Sequence, residues 1–348
     1  MSSLVVKVVE IDEVKTHTGS DNLDLIIVGG WQCVVKRGEY KSGDLVVYFP
    51  PDTVLSQTWT DTFGVTTYCS KCDQGMRIKQ AKLRGEPSFG LLVRCPDATW
   101  EIGKDVAEFY GAKKYEAPVL GQQGDILGKS HTLFEKFTDI ENMRNYPTIF
   151  QDGEEVICTE KLHGTQVRCS SVNDEHQGRM TFCGSKEHPR KRPETEEEMR
   201  SNFYWFPYTI TGVKNLLEEL GSQHKVVEIF GETYGRVQNL RYGVNGIAFR
   251  AFGLKIDGKY VDYDDRIAIF EKYGVPSVPL LWRGPFSLAK IKEISEGKTT
   301  IPGADHIREG TVVQPVKERD DPKIGRLILK YVSDIYLGKH SENDPTDA

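Results

Sequence analysis

In CTEKLHGTQV, residues 158–167, a lysine closes a run of β-forming residues and a glycine follows three positions later. Lys161 could be no more than an exposed strand end, and a K-x-x-G spacing alone says little in a chain of this length. The alternative is a nucleophile. An amine attacks an electrophile only when uncharged, and the ordinary lysine pKa of about 10.4 opposes that near neutrality. Nearby cations or desolvation must favour the neutral form. Attack at phosphorus further requires cations around the departing phosphates and carboxylates able to orient a hard metal ion. Such residues recur downstream: Ser185 and Lys186 in CGSK, Glu228 and Glu232 in EIFGE, Glu309 in REGTVV, and Lys330 in LILKYVS, with Phe249 and Phe252 in FRAFGLKI. Taken singly, each has a plainer reading. Glu228 could sit on a solvated strand face, Glu309 in a turn, the two phenylalanines in a core, and His163 as a packing or capping residue.

Strand ends must bring these groups together. From about residue 150 the texture mixes strands (EEVICTE, TQVRCSSV, HKVVEIFGE, GIAFRAFGLKID, GRLILKYVS) with helices. The helices are TEEEMRSNFYWF, TGVKNLLEELGS with Gly221 as C-cap, DYDDRIAIFEKYG and SLAKIKEISEG. The class is α+β with antiparallel sheets. Residues 1–110 read instead as short β-branched runs with turn signals about every ten residues, which predicts a five-stranded OB-like β-barrel. The expected boundaries are an OB-like domain at 1–112, a linker at 113–130, a catalytic domain at 131–340 and a disordered acidic tail at 341–348. A short helix over TDIENMRNY, capped by Thr138 or Asp139 and ended by Pro147, is expected at the start of the catalytic domain.

In this order the segments resemble the motifs of covalent nucleotidyltransferases, in the form found in ATP-dependent RNA ligases. EKLHGT resembles the first motif, CGSK the next, EIFGE the third, FRAFGLKI the aromatic motif, REGTVV the fourth and LILKYVS the fifth. The N-terminal GWQCVVKRGEYKSGDLVVYFPPDTVL and RIKQAKLRGEPSFGLL resemble the OB module of RNA ligases of the Deinococcus and Naegleria type, and FTDIENMRNYP resembles the segment that joins module to catalytic domain. The resemblance implies an ATP-grasp-like adenylyltransferase domain in which Lys161 takes AMP from ATP as a lysyl-AMP phosphoramidate. It implies that Glu160, Gly164, Lys186, Glu232, Phe252, Glu309 and Lys330 surround the nucleotide, with Phe252 favoured over Phe249 as the adenine platform. Gly164 would permit a tight turn, Lys330 would sit by the α-phosphate, and Glu309 with Glu232 or Glu228 would hold ribose hydroxyls or a hydrated Mg²⁺ or Mn²⁺ ion. The implied substrate is a nicked duplex whose 3′-OH strand is RNA. His163 within the first motif favours the RNA-ligase branch. Two positions depart from the family pattern. Lys186 stands where arginine is frequent, and Ile328 stands where the fifth motif commonly has a further lysine, with Arg326 or Lys323 as candidates to compensate.

A net charge of −6 tells against nucleic-acid binding by global charge, so binding would need local basic clusters. MRIKQAKLR supplies Arg77, Lys79, Lys82 and Arg84. SKEHPRKR supplies Lys186, Arg190, Lys191 and Arg192, and Lys36, Arg37 and Lys41 lie near the N-terminus. Such groups suit phosphate contacts without base readout, or a solvated charged face. Seven scattered cysteines argue against a disulfide framework. Cys69-x-x-Cys72 with Cys95 lacks an evident fourth zinc ligand, so reduced structural thiols are the expectation. With no apolar run long enough for a bilayer and no leader-like N-terminus, the expected setting is intracellular, cytoplasmic by default, for a monomer without membrane contact. Two other classes stay open: a non-catalytic RNA-binding protein on a ligase scaffold, and a capping-type guanylyltransferase. The second is disfavoured because DNA ligases and capping enzymes carry their barrel after the fifth motif, and too little chain follows Lys330 here.

Overall fold

A computed structural model describes residues 4–115, 126–127, 131, 133–134, 136–186, 188–235 and 240–340. The expected linker falls mostly, and the acidic tail wholly, outside these residues. The chain divides into two compact units. One comprises Met1–Val119, Asn142–Pro147 and Asp334–Ala348, and the other Leu120–Glu141 and Thr148–Ser333. Among the described residues no helix is long and apolar enough to cross a membrane.

The first unit is built of short antiparallel ladders. Leu45–Phe49 lies between Lys7–Glu10 and Leu91–Arg94, and Glu13–Thr16, Leu23–Val28 and Trp31–Lys36 form a meander. Thr53–Leu55 and Gly75–Arg77 pair within a third ladder, and Ala81–Leu83 with Glu86–Ser88 in a small hairpin. The strands expected from the sequence are present as OB-like sheets. They pair as separate ladders rather than one closed ring, with main-chain hydrogen bonds between ladders such as Phe89 N–H to Gln32 O (2.8 Å). Val8, Val47, Phe49, Leu55, Ile78, Trp100 and Tyr110 fill the core. The helix expected over TDIENMRNY does not form. The Asn142 side chain instead caps a single 3₁₀ turn, Met143–Asn145, by accepting from Arg144 N–H at 3.0 Å. Arg144 pairs with Asp334, donates to Gly30 O at 3.1 Å and lies over the Trp31 ring. Both late segments are thereby tied to the first unit.

The second unit holds two antiparallel sheets. In one, Leu329–Val332, Gly310–Pro315, Glu155–Lys161 and Leu280–Pro285 neighbour one another in that order. The other runs Gly178–Gly184, Thr165–Asp174, Val226–Gly235, Ile247–Ile256 and Lys259–Tyr260. Residues 162–164 carry the chain from the first sheet to the second. The helix Thr211–Gly221 buries Val213, Leu216 and Leu217, one helical stripe, against the second sheet. Gly221 is the last helical residue, with Ser222 as the cap, rather than the cap itself. It is glycine because the helix sits on Ser171, where an added Cβ would come within 2.6 Å of the serine Cβ. The helix Tyr263–Tyr273 does end on a left-handed glycine, Gly274 at φ 71°. A smaller apolar cluster joins the sheets: Phe230 and Phe252 from one meet Val312 from the other and Ile328, just before its Leu329–Val332 strand, around Phe137 and Tyr260.

Candidate active site

Lys161 is the last residue of its strand. It pairs with Gly310, which pairs with Val332; two residues back, Thr159 pairs with Val312, which pairs with Lys330. Directly opposed residues share a sheet face, and alternate residues return to it. Lys161 and Lys330 therefore occupy the same face, two strands apart. Glu309 lies just before the Gly310 strand, and its carboxylate forms an ion pair with Lys161 Nζ. Glu309 is wholly buried, whereas the Lys161 side chain keeps about a fifth of its exposure. The second Glu309 oxygen, Oε2, lies 4.0 Å from His163 Nδ1 and has no hydrogen-bond donor among the described residues.

Glu160 points to the other face. Its carboxylate accepts from the Thr299 hydroxyl, from Thr300 N–H at 2.8 Å and from the Thr300 hydroxyl at 2.6 Å, so it anchors the 299–301 loop instead of turning toward Lys161. Gly164 lies at the bend between the two strands, and its backbone is not left-handed. A Cβ there would overlap the Thr233 carbonyl and come within 3.0 Å of Glu232 Cγ, so the glycine permits close approach between the turn after Lys161 and the Val226–Gly235 strand. That approach sets Glu232 beside the turn, opposite Gln166. Glu228 shares the strand face with Glu232, but four residues along a strand is about 13 Å. It is buried and accepts from the Ser170 hydroxyl at 3.2 Å.

Lys186 forms an ion pair with Asp139. Phe252 is half-buried in the cluster between the sheets, edge-on to Phe137 at 5.1 Å. Phe249 instead lies in the core of the second sheet and helix, where a Cβ on Gly231 would overlap its ring. Ile328 is buried in the Phe252 cluster. Arg326 does not replace a phosphate-facing lysine. Its guanidinium grips the Glu318 carboxylate through Nε at 2.7 Å and Nη2 at 2.5 Å, and it lies 3.6 Å from the Tyr260 ring centroid. Lys323 is exposed in the turn between Asp320–Asp321 and Gly325–Arg326. Asp139, Thr299, Thr300 and Tyr242 touch the site residues without having been foreseen. None carries a local signal, because each is recruited by a strand end distant in sequence.

Among the described residues no three His, Cys, Asp or Glu side chains are grouped closely enough to hold a metal ion by themselves. A Mg²⁺-like ion keeps several waters and takes one or two carboxylates plus substrate phosphates, so it does not require such a cluster. The buried Glu309 Oε2, lacking a donor, is where a metal-bound water would fit. The thiols of Cys72 and Cys95 donate to the Gly75 and Asp97 carbonyls.

The basic clusters separate into two kinds. Arg77 donates through Nε to Asp52 at 2.7 Å and stacks on Tyr115 at 3.9 Å, and Arg190 is buried against Tyr204 at 4.6 Å; neither is presented to solvent as a phosphate contact. Lys36, Arg37, Lys79, Lys82, Arg84 and Lys191 are exposed.

A family model described as RNA ligase matches residues 154–332, and an OB-fold domain model matches residues 5–95. Among solved structures, a Naegleria gruberi RNA ligase with PPi superimposes with a TM-score of 0.75 at 24% identity, covering 97% of this chain and 99% of that one. A mutant of that enzyme with AMP and Mn gives a TM-score of 0.75 at 25% identity over 97% and 98% of the two chains. Another mutant, with ATP and Mn, gives 0.74 at 24% identity over 97% and 99%. No curated protein matches the chain.

Proposed function

The chain belongs to the RNA ligase family, and on that premise we propose that it is an ATP-dependent enzyme that joins a 3′-OH RNA end to a 5′-phosphate across a nick, through AMP carried on Lys161. The observation that carries this reading is the Lys161–Glu309 ion pair, on a sheet face shared with Lys330. The Naegleria ligase structures with ATP or AMP and Mn support the same nucleotide and a divalent ion.

In the first step the Lys161 amine attacks the α-phosphorus of ATP. A P–N bond forms, the bond to the β-phosphate oxygen breaks, pyrophosphate leaves, and the amine gives up its proton. An ammonium has no lone pair, so one proton must leave before attack, and the Glu309 carboxylate paired with the amine is the adjacent acceptor. Lys330, on the same face, is the cation for the charge that develops on the α-phosphate. Lys186 meets ribose or phosphate once released from Asp139, and Phe252 offers its ring face to adenine. A bound Mg²⁺ or Mn²⁺ ion supplies charge neutralisation at the phosphates; Glu309 and Glu232 would hold it, with Glu228 behind them as a buried structural carboxylate. In the second step an oxygen of the 5′-phosphate attacks the same phosphorus, and the lysine leaves and regains a proton. In the third the 3′-OH oxygen attacks the adenylylated 5′-phosphate and gives up its proton, the pyrophosphate bond breaks, and AMP leaves. Positioning and electrostatics carry such displacements.

The OB-like unit, residues 1–112 by sequence, serves as a platform for the duplex backbone, with Lys36, Arg37, Lys79, Lys82 and Arg84 as phosphate contacts and Lys191 adding one from the catalytic unit. Incubation with Mg²⁺ and α-phosphate-labelled ATP or GTP tests the chemistry. Wild type is expected to take covalent label from ATP and Lys161→Ala none. No label on wild type would point to a retired scaffold, and label from GTP alone to a capping enzyme. Sealing assays with RNA or DNA on the 3′-OH side then test the strand preference.

A further inference from the structure

We infer that Tyr242 is a positioning residue for the nucleophile, its phenol oxygen bracing the turn that carries Lys161. The inference rests on the lysyl-AMP reading. The turn has to hold an amine in line with a phosphorus, yet it is a short connection between two sheets. It is held on both sides of Lys161. On one side the Glu160 carboxylate is gripped by Thr299 and Thr300. On the other, the main-chain N–H of His163 donates to Tyr242 Oη at 2.7 Å, across 79 residues of sequence.

Tyr242 is built into place at some cost. It is 1% exposed, and its backbone is left-handed at φ 49°, a conformation that a bulky side chain adopts only when its surroundings impose it. Its ring is wedged edge-to-face between His306, at 4.5 Å, and Tyr234, at 5.1 Å. The next residue, Gly243, is also left-handed and lies so close to Gly303 that a Cβ would overlap the Gly303 carbonyl. The loop bearing Tyr242 thus packs on the 299–306 loop, the same loop that grips Glu160. The two clamps share one support, and the Lys161 backbone is fixed between them. Burial pushes ionisation of the phenol far above its ordinary range, so the hydroxyl is a neutral acceptor at any working pH.

Tyr242→Phe keeps the ring and its edge contacts and removes only the acceptor for His163 N–H. Single-turnover lysine adenylylation would be measured over a range of ATP concentrations, beside joining of a pre-adenylylated nick, which does not use the Lys161 amine as nucleophile. The maximal adenylylation rate is expected to fall about ten- to a hundredfold, the range that a misplacement near 1 Å produces. The half-saturating ATP concentration and the rate of joining the pre-adenylylated nick should each move less than about threefold, since neither depends on the aim of the amine. An adenylylation rate equal to wild type overturns the inference, as does an equal fall in both reactions, which would mark a general loss of structure. If the Phe variant does not fold, 3,5-difluorotyrosine at position 242 weakens the acceptor at nearly constant shape and should give a smaller fall in the same single step. Wild-type protein that takes no label at all would end the lysyl-AMP reading instead.

Discussion

Lys161 ends its strand beside a carboxylate wholly removed from water. Burying Glu309 costs desolvation, which the ion pair offsets. On the proposed lysyl-AMP route the amine sheds a proton before attack, and the paired carboxylate is the acceptor beside it. Glu309→Gln keeps the volume and removes the charge. We expect covalent AMP labelling to drop about a hundredfold or more, on the scale of removing one electrostatic group from a preorganised site, with a cooperative thermal transition retained. Labelling at the wild-type rate would show that Glu309 has no part in the step. Ile328 shows the converse. Buried among Phe137, Phe230 and Phe252, it occupies a place where an ammonium would lose its hydration without a partner, so the fifth motif here offers one lysine, Lys330.

At the level of elements, close approach recurs as the reason for glycine. Gly164 lets the turn after Lys161 lie against the Thr233 carbonyl, which is how Glu232 comes beside it. Gly221 lets a helix lie on Ser171, on the strand that leads away from that turn. Gly221→Ala sets two effects against each other. Helix propensity favours alanine by about 1 kcal/mol. The new methyl meets both Oγ and Cβ of Ser171, and a rotamer change can move only the first. Overpacking of about 1–3 kcal/mol wins. The variant should be less stable by about 1 kcal/mol in urea unfolding, and a gain in stability would show that the helix can shift off the strand.

Across the whole molecule, the first unit is not one stretch of chain. Arg144 and Asp334 pair within it, and Trp31 Nε1 donates to Asn145 Oδ1 at 3.2 Å, so a domain cut at the expected linker would lose both late segments. Nucleic-acid binding by a chain of net charge −6 depends on which basic side chains are unspent. Arg77 is spent on Asp52 and Tyr115, whereas Lys79, Lys82 and Arg84 are exposed. Replacing those three by alanine should weaken binding to a nicked duplex and flatten its salt dependence by up to about 0.9 per lost phosphate contact, while lysine adenylylation continues. Binding as tight as wild type, with the same salt slope, would remove the platform role from this face. The sequence by itself determined the α+β class, and its likeness to the family's motifs singled out Lys161, Lys186, Glu232, Glu309 and Lys330 as candidates, because motif order along the chain is legible without a fold. Only the tertiary structure decided that Glu160 faces away, that Phe252 rather than Phe249 lies between the sheets, that Arg77 and Arg190 are internal, and that Tyr242 reaches the turn after Lys161. Which face a side chain takes, and which partner meets it there, depends on strand register and close packing between segments far apart in the chain, and no local pattern encodes those.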